Sequence, residues 1–320
     1  MNNRILTSLL TISLAINHLA HAANKGPAWT DPDTAAKESP DFLLQGEYGE
    51  NNGDSGTGIQ VVALGNGQFQ AAVYKGGLPG AGAKGIEFKL YKGQTLNNRT
   101  ILKSPGGSVI TLANGKATGE GFSYTKLTRK SPTLGQNPPK GSVVLFDGKK
   151  NGFNPGKTRG KYLTEGQISR DAFQDFHLHL EFRTPFKPKS KPGNQDRGNS
   201  GVYIFNNYET QILDSFGIKA EFNFCGALYR TKSPDVNMCL PPLSWQTYDI
   251  HFTAPRFKDA KKTSNARITT FHNGVRIHDD IELPKGTGAG GGRPEKPRSN
   301  IHLQGHGNPV SFKNIWLLPK

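Results

Sequence analysis

The sequence predicts an all-β protein, with a two-sheet sandwich of the jelly-roll type preceded by a smaller β-rich domain. Three observations carry that expectation. Helical periodicity is almost absent. Gly and Pro are abundant, at 39 and 21 of 320 residues. Short runs that alternate apolar with polar residues recur along the chain.

The chain opens with Asn2, Asn3 and Arg4, a mostly apolar run from Ile5 to Ile16, and the small-x-small triplet Ala20-His21-Ala22. A signal peptidase reads that order, which predicts a leader over 1–22 cleaved before Ala23. No Cys stands at the cleavage site, so a lipid anchor is not expected, and no apolar run is long enough to span a bilayer as a helix. The expected product is a periplasmic or secreted protein.

Residues 23–130 form the first β-rich unit. Its expected strands are Phe42 to Tyr48, Gly58 to Leu64, Gln68 to Tyr74, Gly85 to Tyr91, Val109 to Leu112 and Gly121 to Leu127. Asn66-Gly67 signals a two-residue hairpin. The run Gly76-Gly77-Leu78-Pro79-Gly80-Ala81-Gly82 must be a turned loop. It lacks the Gly-Lys-Ser/Thr ending and following helix of a phosphate loop.

Residues 131–140, rich in Pro and polar side chains, read as a linker. The second unit, 141–320, holds about ten strands with turn signals at short intervals, the pattern of a two-sheet sandwich. Among them are Phe176 to Thr184, Gly201 to Phe205, Tyr208 to Leu213, Gly226 to Tyr229, Tyr248 to Thr253, Ala266 to His272, Val275 to His278, Ile301 to Gln304 and Ser311 to Leu317. Asn273-Gly274 marks another hairpin.

Net charge is +15, and it is dispersed. Its densest clusters, Lys187 to Lys191, Arg256 to Lys262 and Arg293 to Arg298, lie in loops. Such an excess favours anionic surfaces, namely acidic glycans or the cell envelope. No nucleic-acid motif accompanies it, so nucleic acid is not an expected partner. Cys225 and Cys239 are the only cysteines, and in an oxidising compartment they read as one local disulfide. Neither Cys-x-x-Cys nor His spacing makes that pair a metal site.

Function is expected where polar residues share a strand face. Asn199 to Asp214 reads as two strands joined at Asn206-Asn207, with Glu209 and Gln211 on one face. In Phe176 to Thr184, His177, His179, Glu181 and Arg183 oppose an apolar face; in Ile301 to His306, His302, Gln304 and His306 do. The three polar faces are expected to line one concave sugar site, with Tyr208, Tyr229 or Trp245 available for stacking. Asp214 would join Glu209 only across a bulge.

From Val143 to the end, the chain resembles the 3-keto-disaccharide hydrolase family, whose fold is a concanavalin-A-like, laminarinase-like jelly roll. The resemblance rests on Leu145-Phe146-Asp147-Gly148, Glu181-Phe182-Arg183, Asn199-Ser200-Gly201-Val202, Tyr208 to Asp214, and Gly226-Ala227-Leu228-Tyr229. It continues through Trp245, Asn273-Gly274, Leu303-Gln304-x-His306-Gly307 and Phe312-x-Asn314-Ile315. Gln246 replaces the family's usual Asn and Lys313 its usual Arg, while the Lys187–Arg197 and Gly286–Arg298 segments look peculiar to this chain.

The resemblance implies an enzyme acting on an oxidised saccharide or glycoside. A C3 ketone acidifies the C2 proton, so elimination at C1 followed by hydration cleaves the glycoside. Such a site needs a base, donors for the C3 oxyanion and an acid for the leaving oxygen. On the family motifs, Glu209 is the expected base and His306 the acid. Asn199, Gln211, Asp214, Tyr229 and Gln304 are expected substrate contacts, and Arg183 an electrostatic stabiliser. No cofactor is expected; a divalent metal could draw on Asp214 and His306, without a fuller ligand set. The competing readings are a non-catalytic carbohydrate-binding module of the lectin or laminin-G type, a structural envelope protein, and a hydrolase of unoxidised β-glucans. Gln211 stands where retaining hydrolysis would place a second acid, which counts against the last.

Overall fold

The computed structural model describes residues 26–320; the expected leader lies outside them. Two short helices come first, α1 (Pro32–Glu38) and α2 (Pro40–Leu44). They replace the start of the strand expected from Phe42. Local chemistry decides this: Asp31 caps α1 by accepting from the Thr34 amide at 2.9 Å, and each helix has a proline in its first turn.

A closed antiparallel barrel follows. Its strands are β1 (Gly46–Glu50), β2 (Ser55–Gly65), β3 (Gln68–Lys75), β4 (Lys89–Leu96), β5 (Arg99–Lys103), β6 (Val109–Ala113), β7 (Lys116–Gly119) and β8 (Phe122–Leu127). Each pairs with the next, and β8 returns to β1, so no edge is left open. Alternation is strict where it matters: Ile59, Val61, Ala63, Phe69, Ala71, Leu102, Ile110 and Leu112 fill the interior.

The remaining strands begin with β9 (Val143–Phe146), β10 (Phe153–Asn154), β11 (Thr158–Arg159), β12 (Tyr162–Thr164) and β13 (Gln167–Ser169). Then come β14 (Phe176–Arg183), β15 (Ser200–Ile204), β16 (Tyr208–Ile212), β17 (Gln246–Thr253), β18 (Arg256–Lys258) and β19 (Lys261–Ser264). The last are β20 (Ala266–His272), β21 (Val275–Leu283), β22 (Ile301–Leu303) and β23 (Ser311–Pro319). One sheet has the order β10-β13-β22-β15-β16, leaving β16 at an edge; the other runs β11-β12-β23-β14-β17-β20-β21, with β9 on β23.

Val202, Ile204, Ile212 and Leu303 from the smaller sheet meet Leu178, Leu180, Phe182, Ile250, Phe252 and Leu317 from the larger one in a single core. Burying each such side chain fully is worth about 1.5–3 kcal/mol. Because the apolar faces meet, the polar faces of the two sheets must point to opposite sides of the sandwich. The polar face of β14 therefore cannot share a site with those of β16 and β22, contrary to the sequence expectation.

The far face is occupied. The segment 131–140 lies across it: Ser131 Oγ is 2.7 Å from Thr247 Oγ1, Thr133 donates to Asp249 at 2.8 Å, and the Gly135 amide donates to Glu181 at 2.6 Å. His179 pairs with Asp249 at 2.7 Å and Lys313 with Glu181 at 3.2 Å. Burial alone would raise the Glu181 carboxyl, yet hydrogen bonds from His179, Asn314 and Gly135, with the Lys313 charge, hold it down at about 2.

Barrel and sandwich are joined through Arg197, which is fully buried. Its Nε donates to Asp214 at 2.7 Å, one Nη to the Ser190 carbonyl at 2.6 Å and the other to the Ala63 carbonyl of β2 at 3.3 Å. Residues 226–229 are not a strand but lie along β16, through Gln211 N to Ala227 O and Gly226 N to Gln211 O, both 2.9 Å, and Tyr229 N to Glu209 O at 3.1 Å. Cys225 and Cys239 are buried free thiols, so the expected disulfide is absent. The two thiols lie against each other, and Cys225 also meets the Tyr248 hydroxyl at 3.3 Å and Cys239 the Leu213 carbonyl at 3.5 Å.

Candidate active site

The β15–β16 hairpin builds the site. Its turn closes from Asn207 N to Ile204 O at 3.1 Å, with Phe205 and Asn206 both left-handed at φ of 59° and 60°. That is one residue earlier than the Asn206-Asn207 turn expected. Asparagine suits the conformation, whereas a phenylalanine there is strained and is held by packing on Phe252 at 5.1 Å between ring centroids.

Register then lays a row of side chains across four strands on the outer face. Ile168 of β13 pairs with His302 of β22, His302 with Tyr203 of β15, and Tyr203 with Glu209 of β16. The His302 and Tyr203 rings stack at 5.8 Å. In the next row Gly201 pairs with Gln211, and the Gln304 amide donates to the Gly201 carbonyl at 2.8 Å. Gly201 is needed here: a Cβ at that position would lie 2.3 Å from Glu209 Oε1, so its missing side chain is the niche for the carboxylate.

Two loops wall this face. The Thr287 hydroxyl accepts from the Glu209 amide at 2.7 Å, and the Thr287 amide donates to the Asn207 carbonyl at 2.9 Å. Arg293 donates to the Asn206 backbone and side-chain oxygens at 2.6 and 2.7 Å, and its guanidinium lies 5.7 Å from the Tyr203 ring centroid. From the other side, the Gln195 side-chain oxygen accepts from Asn199 and from Gln211, both at 3.0 Å. A groove of about 400 Å³ lies against the row, lined by Ile168, Asn206, Arg293, Lys296, Asn300 and His302.

Four buried polar atoms on this face have no hydrogen-bond partner: Asn199 Oδ1, Glu209 Oε2, His302 Nδ1 and Gln304 Oε1. Each such atom ordinarily costs about 1–3 kcal/mol when left unpaired, so these four offer hydrogen-bonding capacity to a ligand's hydroxyls. Burial raises the Glu209 carboxyl to about 7, against the opposing pull of the Tyr203 hydroxyl and the Arg293 charge. Burial, helped by Arg293, lowers His302, leaving it neutral at pH 7. Burial and the facing Glu209 raise Tyr203, so its hydroxyl stays a donor. Glu209 can therefore take and return a proton near neutrality, beside a fixed cation and two neutral hydrogen-bonding groups.

Of the residues expected from sequence, Glu209, Gln211, Asn199, Gln304 and Tyr229 gather here, Tyr229 through its amide on Glu209 and its ring against Gly288. Three do not. His306 lies beyond the end of β22, exposed, and among the described residues its ring has no hydrogen bond or ion pair. Strand alternation does not extend past Leu303 to place it. Arg183 is on the opposite sheet, 5.2 Å from the Tyr162 ring and 4.9 Å from Trp245, donating to the Thr30 carbonyl. Asp214 is fully buried and spent on Arg197. Asp214 and His306 thus do not form a metal site, and among the described residues no group of three His, Cys, Asp or Glu is arranged to hold one.

The aromatic platforms fare similarly. Tyr208 faces the core with its hydroxyl on Glu295, and Trp245 has Arg183 and Lys313 against it. His302, expected on the polar face of β22, is also here. Tyr203, Arg293 and Gln195 are the additions. Tyr203 is legible as the residue opposite Glu209 across a hairpin; the other two are on loops, where no periodicity points at a target.

Residues 108–318 match the family described as the 3-keto-alpha-glucoside-1,2-lyase-like domain. No curated protein matches the chain. A crystal structure from Parabacteroides distasonis, described as a putative glycosyl hydrolase, is similar at 29% identity and a TM-score of 0.52, over 57% of this chain and 86% of that one. A second from the same organism and with the same description has 16% identity and a TM-score of 0.40, covering 57% of this chain and 94% of that one.

Proposed function

The chain belongs to the 3-keto-alpha-glucoside-1,2-lyase-like family, and from that membership we propose that it cleaves 3-keto-glycosides by elimination across C1–C2 followed by hydration. The observation that carries the reading is a single buried carboxylate, Glu209, held at about pH 7, with no second carboxylate in its own row or the next. Retaining hydrolysis of an unoxidised sugar needs two carboxyl groups about 5–5.5 Å apart. Elimination beside a ketone needs one base.

In this mechanism the Glu209 carboxylate takes the C2 proton and the electron pair moves onto the C3 oxygen. Arg293 and the Tyr203 hydroxyl stand beside Glu209 to stabilise that enolate. The enolate collapses, C1=C2 forms, and the C1–O bond breaks. The departing oxygen takes its proton from Glu209, which received the C2 proton and returns to the carboxylate. Water then adds across C1=C2 and restores the 3-keto sugar. Asn199, Gln211 and Gln304 offer amide contacts to hydroxyls. The leader expected over residues 1–22 supports a periplasmic or extracellular setting for this reaction.

The test is turnover of a chromogenic 3-keto-glucoside against its unoxidised parent, with Glu209→Gln as control. Cleavage of only the oxidised compound, lost in the variant, supports the reading. Saccharide binding without turnover, surviving in E209Q, would replace it with a binding module.

A further inference from the structure

A groove of about 710 Å³ runs between the outer surface of the barrel and the basic Lys187–Arg197 segment. Its floor is apolar, with Phe88, Leu90 and Ile218, and its rim carries Lys92, Lys189 and Lys191. All three lysines are exposed, and none has an ion pair among the described residues. The acids of the neighbourhood are engaged, Glu87 with Lys219 at 3.1 Å and Asp196 with Lys187 at 2.9 Å.

We propose that this groove is a docking subsite for a chain of carboxylate-bearing sugars, an acidic glycan of the uronate type. Three cations around an apolar strip match the two faces of such a chain, carboxylates at the rim and ring C–H groups on the floor. Gln68 and Gln70, on the same barrel surface, offer amides to its hydroxyls. Among the described residues, Phe88 is the one aromatic ring lining the groove, so a strand of stacked bases would find no series of platforms here. The floor is recessed, which does not suit insertion into a bilayer.

The walls are preformed. Arg197 holds the Pro188 carbonyl at 3.4 Å and the Ala63 carbonyl of the barrel at 3.3 Å, and Lys189 packs over Gly65. The same segment turns Gln195 toward the Glu209 face, so one loop serves both places. The choice of a saccharide rests on the proposed function.

The test titrates the leader-free protein with oligogalacturonate, a neutral dextran oligosaccharide, a DNA duplex and phosphatidylglycerol vesicles, at low and high salt. Oligogalacturonate is expected to bind alone among these, weakening as salt rises. The triple variant K92Q/K189Q/K191Q is expected to lose at least about tenfold in affinity, the scale of 1.4 kcal/mol. Its turnover of the small 3-keto-glucoside should be unchanged, which also shows that it is folded. Single K92E, on a barrel strand, supplies an independent variant and should weaken binding in the same direction. Oligogalacturonate affinity indifferent to these changes, or equal binding of DNA or vesicles, would overturn the proposal. Glucoside turnover reports on the Glu209 site separately, so each reading can fail alone.

Discussion

Replacing Gly201 by alanine should disable the enzyme without unfolding it. The new Cβ would stand 2.3 Å from Glu209 Oε1 and 3.0 Å from its Cδ and Cγ, and these are its three nearest neighbours. An ordinary contact needs about 3.4 Å, so the carboxylate must retreat by about 1 Å. Gly201 does not have a left-handed φ, so the strand accepts alanine as it stands. Only the end of a flexible side chain has to move. A displacement of about 1 Å can cost about 10²-fold in rate, which is about 2.7 kcal/mol of transition-state stabilisation. Steady-state kcat/KM on the chromogenic 3-keto-glucoside, alongside a thermal melt, reads both sides of the argument. Full activity with an unchanged melting temperature would refute it, because the niche would then have no part in placing Glu209.

Other outcomes follow from the same contacts. As the base, Glu209 must be ionised, so kcat/KM should fall as pH drops through about 7. Its folded pKa lies above its unfolded one, so native Glu209 binds more protons between the two and destabilises the fold as pH rises through that window. E209Q should therefore raise the melting temperature at pH 8 and change it much less at pH 5; the reverse order would contradict the assignment. Arg293→Ala should lower kcat/KM by about 10²–10³, as for loss of an oxyanion donor, and move the acidic limb above 7, since Arg293 now holds Glu209 down. A variant slow but with an unmoved limb would argue for a purely structural loop. Asp214→Ala leaves the Arg197 charge buried and unpaired, with an expected loss of about 3–5 kcal/mol in urea unfolding.

Strand order along the chain was legible because alternation is a local property. Ile301-His302-Leu303 and the β14 run show their buried and polar sides directly, and Asn66-Gly67 and Asn273-Gly274 mark the β2–β3 and β20–β21 turns. Glu209, Gln211 and Gln304 were found by the same period. What alternation cannot say is which sheet a strand joins, and that is why Arg183 was misplaced: its face is polar, but on the other side of the sandwich. His306 failed for the opposite reason, since the period was carried past the end of its strand. Asp214 looked like a site acid because the sequence does not reveal that Arg197, 17 residues earlier, is folded against it. Arg293 and Gln195 reach the site from loops whose paths depend on contacts such as Asn207 with Thr287, which follow only once the hairpin exists.

The position of β16 at the rim of its sheet has a consequence for how the protein behaves in company. An open rim strand invites pairing with another molecule's backbone. Here the outward groups of β16 are already taken, the Glu209 amide by Thr287, and the Glu209 and Gln211 backbones by Ala227, Gly226 and Tyr229. The strand that carries the reactive carboxylate is thus shielded against templating aggregation by the same segments that frame its pocket. Trimming those segments to widen the pocket would uncover a sticky edge, so solubility and substrate size are tied together in this fold.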